Sequence, residues 1–245
     1  MQFVQLRLQK LTRIVEDLQC DGLVIVQDSN LYKFTSDSVL LANFFKAKKT
    51  DEVVELCAGS GVISILGTKK TNAKQFYCFE IQKEMCDIFK ESTILNKIEN
   101  IKIFNENLIK APEILKKTVD VVVVNPPYYT NKEINNNKHI SVATHELETN
   151  LEDICKISSK LLKFGGKLYM VHVADRLAEI CFNLKKYNLE PKKVVLVKPT
   201  KEKPANTVLI EATKGAKVGL KIDELICQNA DGSMTTELKK IYGIK

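Results

Sequence analysis

Short runs of β-branched and other apolar residues alternate, from residue 50 onward, with longer stretches that carry apolar residues at helical spacing. The runs predict strands at residues 52–56, 75–81, 101–105, 119–124, 167–173, 192–198 and 207–213. The longer stretches predict helices at residues 84–96, 147–164 and 174–187, and Gly165 and Gly166 are expected to close the second of them. Strands that alternate with helices indicate a doubly wound α/β fold around a mostly parallel sheet.

The two ends of the chain depart from this alternation. Residues 199–206 join the last two predicted strands and are too few for a crossover helix, so these strands are expected to pair antiparallel. Residues 1–48 are expected to form an N-terminal extension packed on the core, with a short hairpin through residues 22–27 and a helix over 37–46. Residues 49–245 then form the main domain.

A turn of small residues follows the first predicted strand of the main domain and leads into a helix. Its residues are Cys57, Ala58, Gly59, Ser60 and Gly61. Glycines let a backbone approach a ligand closely, and a helix N-terminus offers N–H groups that bind anions. Ser64 stands where a dinucleotide-binding motif has its last glycine, which disfavours a nicotinamide dehydrogenase. A plain strand-to-helix turn would carry the same residues.

Glu80 ends the next predicted strand. A carboxylate at this place in a nucleoside-binding fold accepts hydrogen bonds from the two hydroxyls of a ribose. A solvated acid at a strand end is the alternative for this residue alone. Together with Glu55 and the turn at Gly59 and Gly61, Glu80 favours a nucleoside cofactor.

The fourth strand of the main domain ends in Asn125, Pro126, Pro127 and Tyr128. The two prolines explain why the strand ends. They do not explain the asparagine before them or the tyrosine after them. The Asn125 side-chain oxygen and the Pro126 carbonyl can accept hydrogen bonds from a planar NH₂ group and draw its lone pair out of resonance. The prolines fix these acceptors in advance. Tyr128 can stack on the target, and Pro127 and Tyr129 are expected to line it.

The chain carries a formal charge of +7 and has a pI near 8.9, which favours an anionic partner such as nucleic acid. Lysines are frequent between residues 185 and 203, and Lys198 and Lys203 are candidate phosphate contacts, although a soluble surface would look the same. His145 is a further candidate substrate contact, while a His-Glu pair before a helix also serves as a cap. No second ligand stands at metal spacing, so no metal is expected.

The cysteines and the apolar runs bear on the cell compartment. Seven cysteines occur without a C-x-x-C pair, and most lie in apolar segments, which indicates reduced thiols in a core. The sequence shows no cleavable leader and no apolar run of about 20 residues. We therefore expect a soluble, cytoplasmic protein, and we expect it to be a monomer.

Taken in order, Glu55 to Gly61, Glu80, and Asn125 to Tyr128 make the chain resemble the class I S-adenosylmethionine-dependent methyltransferases that methylate amino groups. The chain is most similar to the family that makes N6-methyladenine next to the anticodon of valine tRNA. This likeness runs nearly end to end and is carried by residues 21–44, 161–180 and 189–217. The Asn-Pro-Pro-Tyr motif is shared with DNA, rRNA and protein-glutamine methyltransferases.

The resemblance implies a Rossmann-like fold with a seven-stranded, mostly parallel sheet whose last strand is antiparallel. It implies S-adenosylmethionine as cofactor and tRNA as partner. Asp37 and Glu55 would lie near the methionine end of the cofactor, Glu80 would hold its ribose, and the turn of small residues at 57–61 would complete its site. Asn107 stands where an acidic residue would meet the cofactor adenine, and it can equally cap the next segment.

The target adenine would be bound by Asn125 and Tyr128 by the same resemblance. Thr144 replaces an arginine expected before His145, and residues 130–138 form a polar loop that can cover the site.

Three alternatives stay open. They are methylation of a glutamine amide in a release factor, for which 50 N-terminal residues leave little room for a helical domain, methylation of rRNA or DNA, and RNA binding without catalysis.

Overall fold

The computed structural model of the 245-residue chain describes residues 12–127 and 150–244. An eight-stranded mixed sheet forms its centre, and a two-stranded hairpin precedes it. The strands are β1 Arg13–Asp17, β2 Val24–Asp28, β3 Glu52–Leu56, β4 Gln75–Glu80, β5 Ile101–Asn105, β6 Val119–Val124, β7 Leu162–Val173, β8 Leu189–Lys198, β9 Thr207–Lys214 and β10 Lys221–Ile226.

Helices connect the strands and cover both faces of the sheet. The α-helices are α1 Ser36–Phe44, α2 Val62–Thr71, α3 Lys83–Leu95, α4 Ala111–Leu115, α5 Leu151–Leu161, α6 Leu177–Lys186 and α7 Thr236–Ile241. Short 3-10 helices at Leu108–Lys110 and Ala174–Arg176 lead into α4 and α6.

The strand order of the sheet is β10-β8-β9-β7-β6-β3-β4-β5. Neighbouring strands from β7 to β5 are parallel, whereas β9 runs antiparallel to both β7 and β8. The predicted antiparallel pairing of the two strands around residues 199–206 is therefore confirmed. The antiparallel strand is inserted between its neighbours, so it is not an edge of the sheet.

Strand β6 shows why the centre of the sheet is uniformly apolar. Val121 and Val123 pack into the core on one face, with residues of α1 and α2, while Val122 and Val124 pack into the core on the other face, with residues of α5 and α6. A parallel strand covered on both faces reads as a continuous apolar run. The carboxyl end of β6 is consequently fixed from both sides.

Two predicted boundaries are wrong at the junction of α5 and β7. The predicted helix over 147–164 ends at Leu161, and Gly165 and Gly166 belong to β7 rather than to a helix end. Leu162 and Phe164 continue the helical spacing in the sequence. In the fold, however, Leu162 pairs with Val119 of β6, and a register shift follows before the ladder resumes.

The structure also contains an eighth sheet strand that the sequence did not predict. Strand β10 pairs parallel to β8 at the edge of the sheet. Its first four residues are exposed, so the apolar alternation that marks a half-buried strand is missing. Helix α7, which follows it, is only six residues long and gave no periodic signal either.

The predicted N-terminal hairpin and helix are present as β1, β2 and α1, while the domain boundary at residues 48 and 49 stays a prediction. Side chains at the C-terminal end of α3, including Asn96, which caps the helix, form hydrogen bonds with the backbone of β2. Asn96 accepts a hydrogen bond from the Val24 N–H (2.9 Å) and donates one to the Val24 carbonyl (2.6 Å). Ser92 Oγ accepts a hydrogen bond from the Val26 N–H (2.9 Å). The hairpin is thereby attached to the main sheet through one helix.

We predict that Asn96→Ala lowers the free energy of unfolding by about 2 kcal/mol, since both backbone groups of Val24 lose their partner. The amide of Val24 should exchange with solvent faster in this variant, which hydrogen-exchange NMR measures. Lys90→Ala, on the exposed side of the same helix, is the control and should change neither quantity. Unchanged exchange at Val24 in Asn96→Ala would contradict the attachment.

Candidate active site

A cavity of about 670 Å³ opens at the carboxyl ends of the parallel strands. Segments after β3, β4, β5 and β6 line it, together with the start of α1 and parts of the C-terminal segment. Ligands of open α/β sheets bind at this edge, and the volume lies in the range of cofactor pockets. The cavity is thus the candidate active site, and most of the predicted site residues meet there.

The turn between β3 and α2 depends on left-handed backbone conformations. Cys57, Gly59 and Gly61 have φ angles of 56°, 56° and 84°. A Cβ added to Gly61 would lie 2.0 Å from the ring of the buried Phe89, so this position accepts only glycine. Cys57 adopts the strained conformation as a non-glycine residue, which is uncommon and clusters at functional sites. Cys57, Ala58 and Gly59 line the cavity, whereas Gly61 does not, and the predicted contacts of this turn with the cofactor stay a prediction.

Glu80 connects the end of β4 to this turn. One carboxylate oxygen accepts a hydrogen bond from the Gly59 N–H (2.8 Å), and the other accepts one from the Gln82 N–H (2.8 Å). Burial raises the pKa of the Glu80 carboxyl, while these hydrogen bonds oppose the rise. The side chain lines the cavity and keeps lone pairs with which it can accept further hydrogen bonds.

Glu55 lies beneath the cavity rather than on its wall. Its side chain is fully buried and accepts hydrogen bonds from the N–H (3.0 Å) and the hydroxyl of Ser64, in the first turn of α2. Burial raises the pKa of Glu55 to about 8, with these hydrogen bonds opposing the rise. Glu55 therefore supports the start of α2, and its predicted contact with the cofactor stays a prediction.

Asn107 lines the cavity and also caps the 3-10 helix after β5. Its side-chain oxygen accepts a hydrogen bond from the Ile109 N–H (3.0 Å). The capping role predicted for Asn107 is therefore present, and its position is also compatible with the predicted contact with the cofactor adenine. Asp37, in the first turn of α1, lies on the wall of the same cavity.

Asn125, Pro126 and Pro127 follow β6 and line the cavity. Asn125 is half-buried, and its side-chain N–H₂ donates a hydrogen bond to Ser38 Oγ in α1 (3.0 Å). Pro126 is buried. Several predictions fall outside the described residues, namely those for Tyr128, Tyr129, Thr144, His145 and the loop 130–138.

The two candidate phosphate contacts do not line the cavity. Lys198 lies at the end of β8, with its Nζ 3.7 Å from a carboxylate oxygen of Glu224 in β10. Lys203 is exposed in the loop between β8 and β9. Neither has a position that contradicts a contact with a large substrate, and both contacts stay predictions.

Asp37 was the one residue predicted on the wall that α1 provides, and sequence reasoning missed its neighbour Ser38 and the residues of the C-terminal segment. Ser38, Cys227, Leu238 and Tyr242 all line the cavity. Burial raises the pKa of Tyr242, which lies near Asp37. The C-terminal residues gave no signal because they belong to short elements without periodicity, and Ser38 looked like one of several polar residues at a helix start.

The described residues, 12–127 and 150–244, contain no group of three or more His, Cys, Asp or Glu side chains that could hold a metal ion. Within the same ranges no helix has the length and apolar character that crossing a membrane requires. All seven cysteines are free thiols.

Comparison with solved structures gives the class of the fold, and a family pattern gives the class of the protein. The fold matches a protein of Agrobacterium tumefaciens described as a predicted O-methyltransferase, with a TM-score of 0.68, 19% identity, and coverage of 85% of this chain and 97% of that one. The fold class is confirmed as that of the class I methyltransferases. The sequence pattern of the methyltransferase small domain family matches residues 32–186, so the chain belongs to that family and is an S-adenosylmethionine-dependent methyltransferase.

Relatives with specific names are more distant. The tRNA1(Val) (adenine(37)-N6)-methyltransferase of Flavobacterium johnsoniae is 23% identical over 209 residues, which cover 83% of this chain and 88% of that protein. A Methanocaldococcus jannaschii protein named as a protein N5-glutamine methyltransferase is 30% identical over 116 residues, covering 47% of this chain and 56% of that protein. The two names share transfer of a methyl group to a planar NH₂ group.

The buried Glu55 predicts a pH dependence of stability. Its pKa of about 8 in the fold lies above the ordinary value of 4.5, so folding favours the protonated carboxyl. This contribution is fully present below about pH 4.5 and is lost as the pH rises through about 8. The unfolding free energy of the wild type should therefore fall by a few kcal/mol relative to that of Glu55→Gln over this range.

Urea unfolding of the two proteins at a series of pH values measures this difference. Glu99→Gln, which removes an exposed carboxyl, is the control for the loss of one acidic group and should follow the wild type. If the unfolding free energies of wild type and Glu55→Gln changed with pH in the same way, folding would not raise the pKa of Glu55, and the prediction would be wrong.

Proposed function

We propose that the protein methylates N6 of an adenine in tRNA, namely the adenine at position 37 of valine tRNA, with S-adenosylmethionine as methyl donor. The observation that carries this proposal is the meeting of two motifs in one cavity. The turn at Gly59 with Glu80 lies on one part of the wall, and Asn125 with its two prolines lies on another. The name of the Flavobacterium johnsoniae relative supports the choice of target.

The cofactor fits the half of the cavity formed by the turn and Glu80. Gly59 keeps the backbone of the turn accessible, and the buried Glu80 carboxylate can accept hydrogen bonds from ribose hydroxyls beside those from Gly59 and Gln82. Asn107 and Asp37 are proposed to complete this half. When bound, S-adenosylmethionine supplies a methyl group on a positively charged sulfur.

The target amine fits the half formed by Asn125 and Pro126. The N6 amine of adenine is conjugated to its ring and is a weak nucleophile until its lone pair is drawn out of the ring plane. The Asn125 oxygen and the Pro126 carbonyl accept its two hydrogens and favour that geometry. The prolines fix the backbone that carries both acceptors before the target arrives, which limits reorganisation at the moment of reaction.

The chemical step needs positioning and polarisation more than acid–base catalysis. The amine nitrogen takes the methyl group in line, the new N–C bond forms as the S–C bond breaks, and the proton of the amine leaves to solvent afterwards. Tyr128 is proposed as the platform on which the flipped adenine stacks. The net charge of +7 favours the approach of an RNA.

A second candidate has support from one observation. The Methanocaldococcus jannaschii relative is named for N5-glutamine methylation, and a glutamine amide is also a conjugated NH₂ group. The same acceptors would serve it. The two candidates differ in the substrate alone, so a direct assay separates them.

We predict that labelled methyl from S-adenosylmethionine enters unmodified valine tRNA, and that digestion of the product yields N6-methyladenosine from the anticodon loop. Asn125→Ala should lower kcat by roughly 100- to 1000-fold, because it removes a preorganised acceptor. Binding of S-adenosylmethionine by this variant should stay within about twofold of the wild type, since the amide acts on the target.

Asn183→Ala is the matched control. It removes another largely buried amide, one whose N–H₂ donates to the Glu179 carbonyl of its own helix outside the cavity, and it should keep full activity. Near-normal turnover of Asn125→Ala would contradict the mechanism. If the labelled methyl group appeared in a protein glutamine and in no tRNA, the second candidate, glutamine methylation, would replace adenine methylation as the proposed function.

A further inference from the structure

The Asn125 amide is tied to the N-terminal part of the chain. Its N–H₂ group donates a hydrogen bond to Ser38 Oγ at 3.0 Å, across 87 positions of sequence. Ser38 lies in the first turn of α1, is 8% exposed and lines the same cavity. This contact joins the residue that faces the target to an element outside the central strands.

An amide side chain has two ends with opposite hydrogen-bonding character. The oxygen only accepts and the N–H₂ only donates, and a half-turn about the Cβ–Cγ bond exchanges them. A target amine needs the oxygen. In the reverse orientation the Asn125 N–H₂ group would face the N–H₂ group of the target, and no hydrogen bond would form. The lone pair of the target nitrogen would then stay conjugated with its ring. The orientation of the Asn125 amide therefore decides whether the site can polarise an amine.

We propose that Ser38 is a positioning residue for methyl transfer, which holds the N–H₂ end of Asn125 so that its oxygen is presented to the target amine. This inference rests on the proposed function, because it concerns the same acceptor. Ser38 does not touch the reacting atoms in this account. It acts through Asn125.

The packing of α1 makes this role separable from a purely structural one. Leu40, Leu41 and Phe45 are 3%, 0% and 1% exposed, and they anchor the helix in the core. Phe45 also makes an edge contact with Tyr169 of β7, with ring centroids 6.2 Å apart. Helix α1 thus keeps its place without the Ser38 hydroxyl, and loss of that hydroxyl changes the freedom of the amide.

Kinetics of four proteins test the proposal. Ser38→Ala should lower kcat roughly 10- to 100-fold, with the KM values for tRNA and cofactor within about twofold of the wild type. Ser38→Thr keeps a hydroxyl and should recover most of the loss. Ser158→Ala removes the hydroxyl of a fully buried serine in α5, outside the cavity, and should leave kcat unchanged.

The decisive comparison uses an Asn125→Asp background. A carboxylate has two equivalent oxygens, so it presents an acceptor in either orientation and needs no partner to orient it. Ser38→Ala should therefore change kcat by less than about twofold in Asn125→Asp, against the roughly 10- to 100-fold change in the wild-type background. Equal losses in the two backgrounds would overturn the positioning role.

A second readout does not depend on the substrate. In ¹⁵N-labelled protein, the side-chain N–H₂ signals of Asn125 are assigned by their loss in Asn125→Asp. They should shift and exchange faster with water in Ser38→Ala, and they should return toward wild-type values in Ser38→Thr. Unchanged signals in Ser38→Ala would overturn the inference. Altered signals in a protein that methylates no tRNA would keep the orientation by Ser38 and reject the proposed target alone.

Discussion

The active site depends first on the carboxylate of Glu80 at the end of β4. Its two oxygens accept hydrogen bonds from the backbone of Gly59 and Gln82, so one side chain fixes the turn after β3 and the start of α3 together. The pairing of β3 with β4 brings these segments side by side. A buried carboxylate is costly unless it is hydrogen-bonded, and the backbone hydrogen bonds that stabilise Glu80 also shape the wall of the cavity at the turn after β3.

The same edge of the sheet also carries Asn125, which lines another part of the cavity. Because β6 is covered by apolar packing on both faces, its end at Asn125 has little freedom. Helix α1 packs on the same face as α2 and places Ser38 against the Asn125 amide. Strand β3 lies between β4 and β6, so the turn beside Glu80 and the segment of Asn125 open into one cavity through the order of the strands.

The central elements were predictable from the sequence for the same physical reason. Strands such as β6 are buried on both sides and read as apolar runs, and their carboxyl ends carry Gly59, Glu80 and Asn125, whose chemistry is unusual for a plain turn. The exposed edge strand β10 and the short helix α7 carry no such pattern, so the wall that includes Cys227 and Tyr242 was not foreseen. The bond between Ser38 and Asn125 depends on packing between distant segments, which no local pattern reveals. For Glu55 the contact with the cofactor stays a prediction, and only the fold shows that the side chain lies beneath the cavity and accepts hydrogen bonds from Ser64.

The central claim is that the Glu80 carboxylate holds the cofactor half of the cavity together and binds the cofactor. Calorimetric titration of S-adenosylmethionine into wild type, Glu80→Gln and the exposed-site control Glu99→Gln tests it most directly. One molecule should bind to the wild type and to the control alike. In Glu80→Gln the affinity should fall at least about tenfold, because the amide loses one of the two carboxylate acceptors. Unchanged affinity in Glu80→Gln, or no binding by the wild type, would contradict the account.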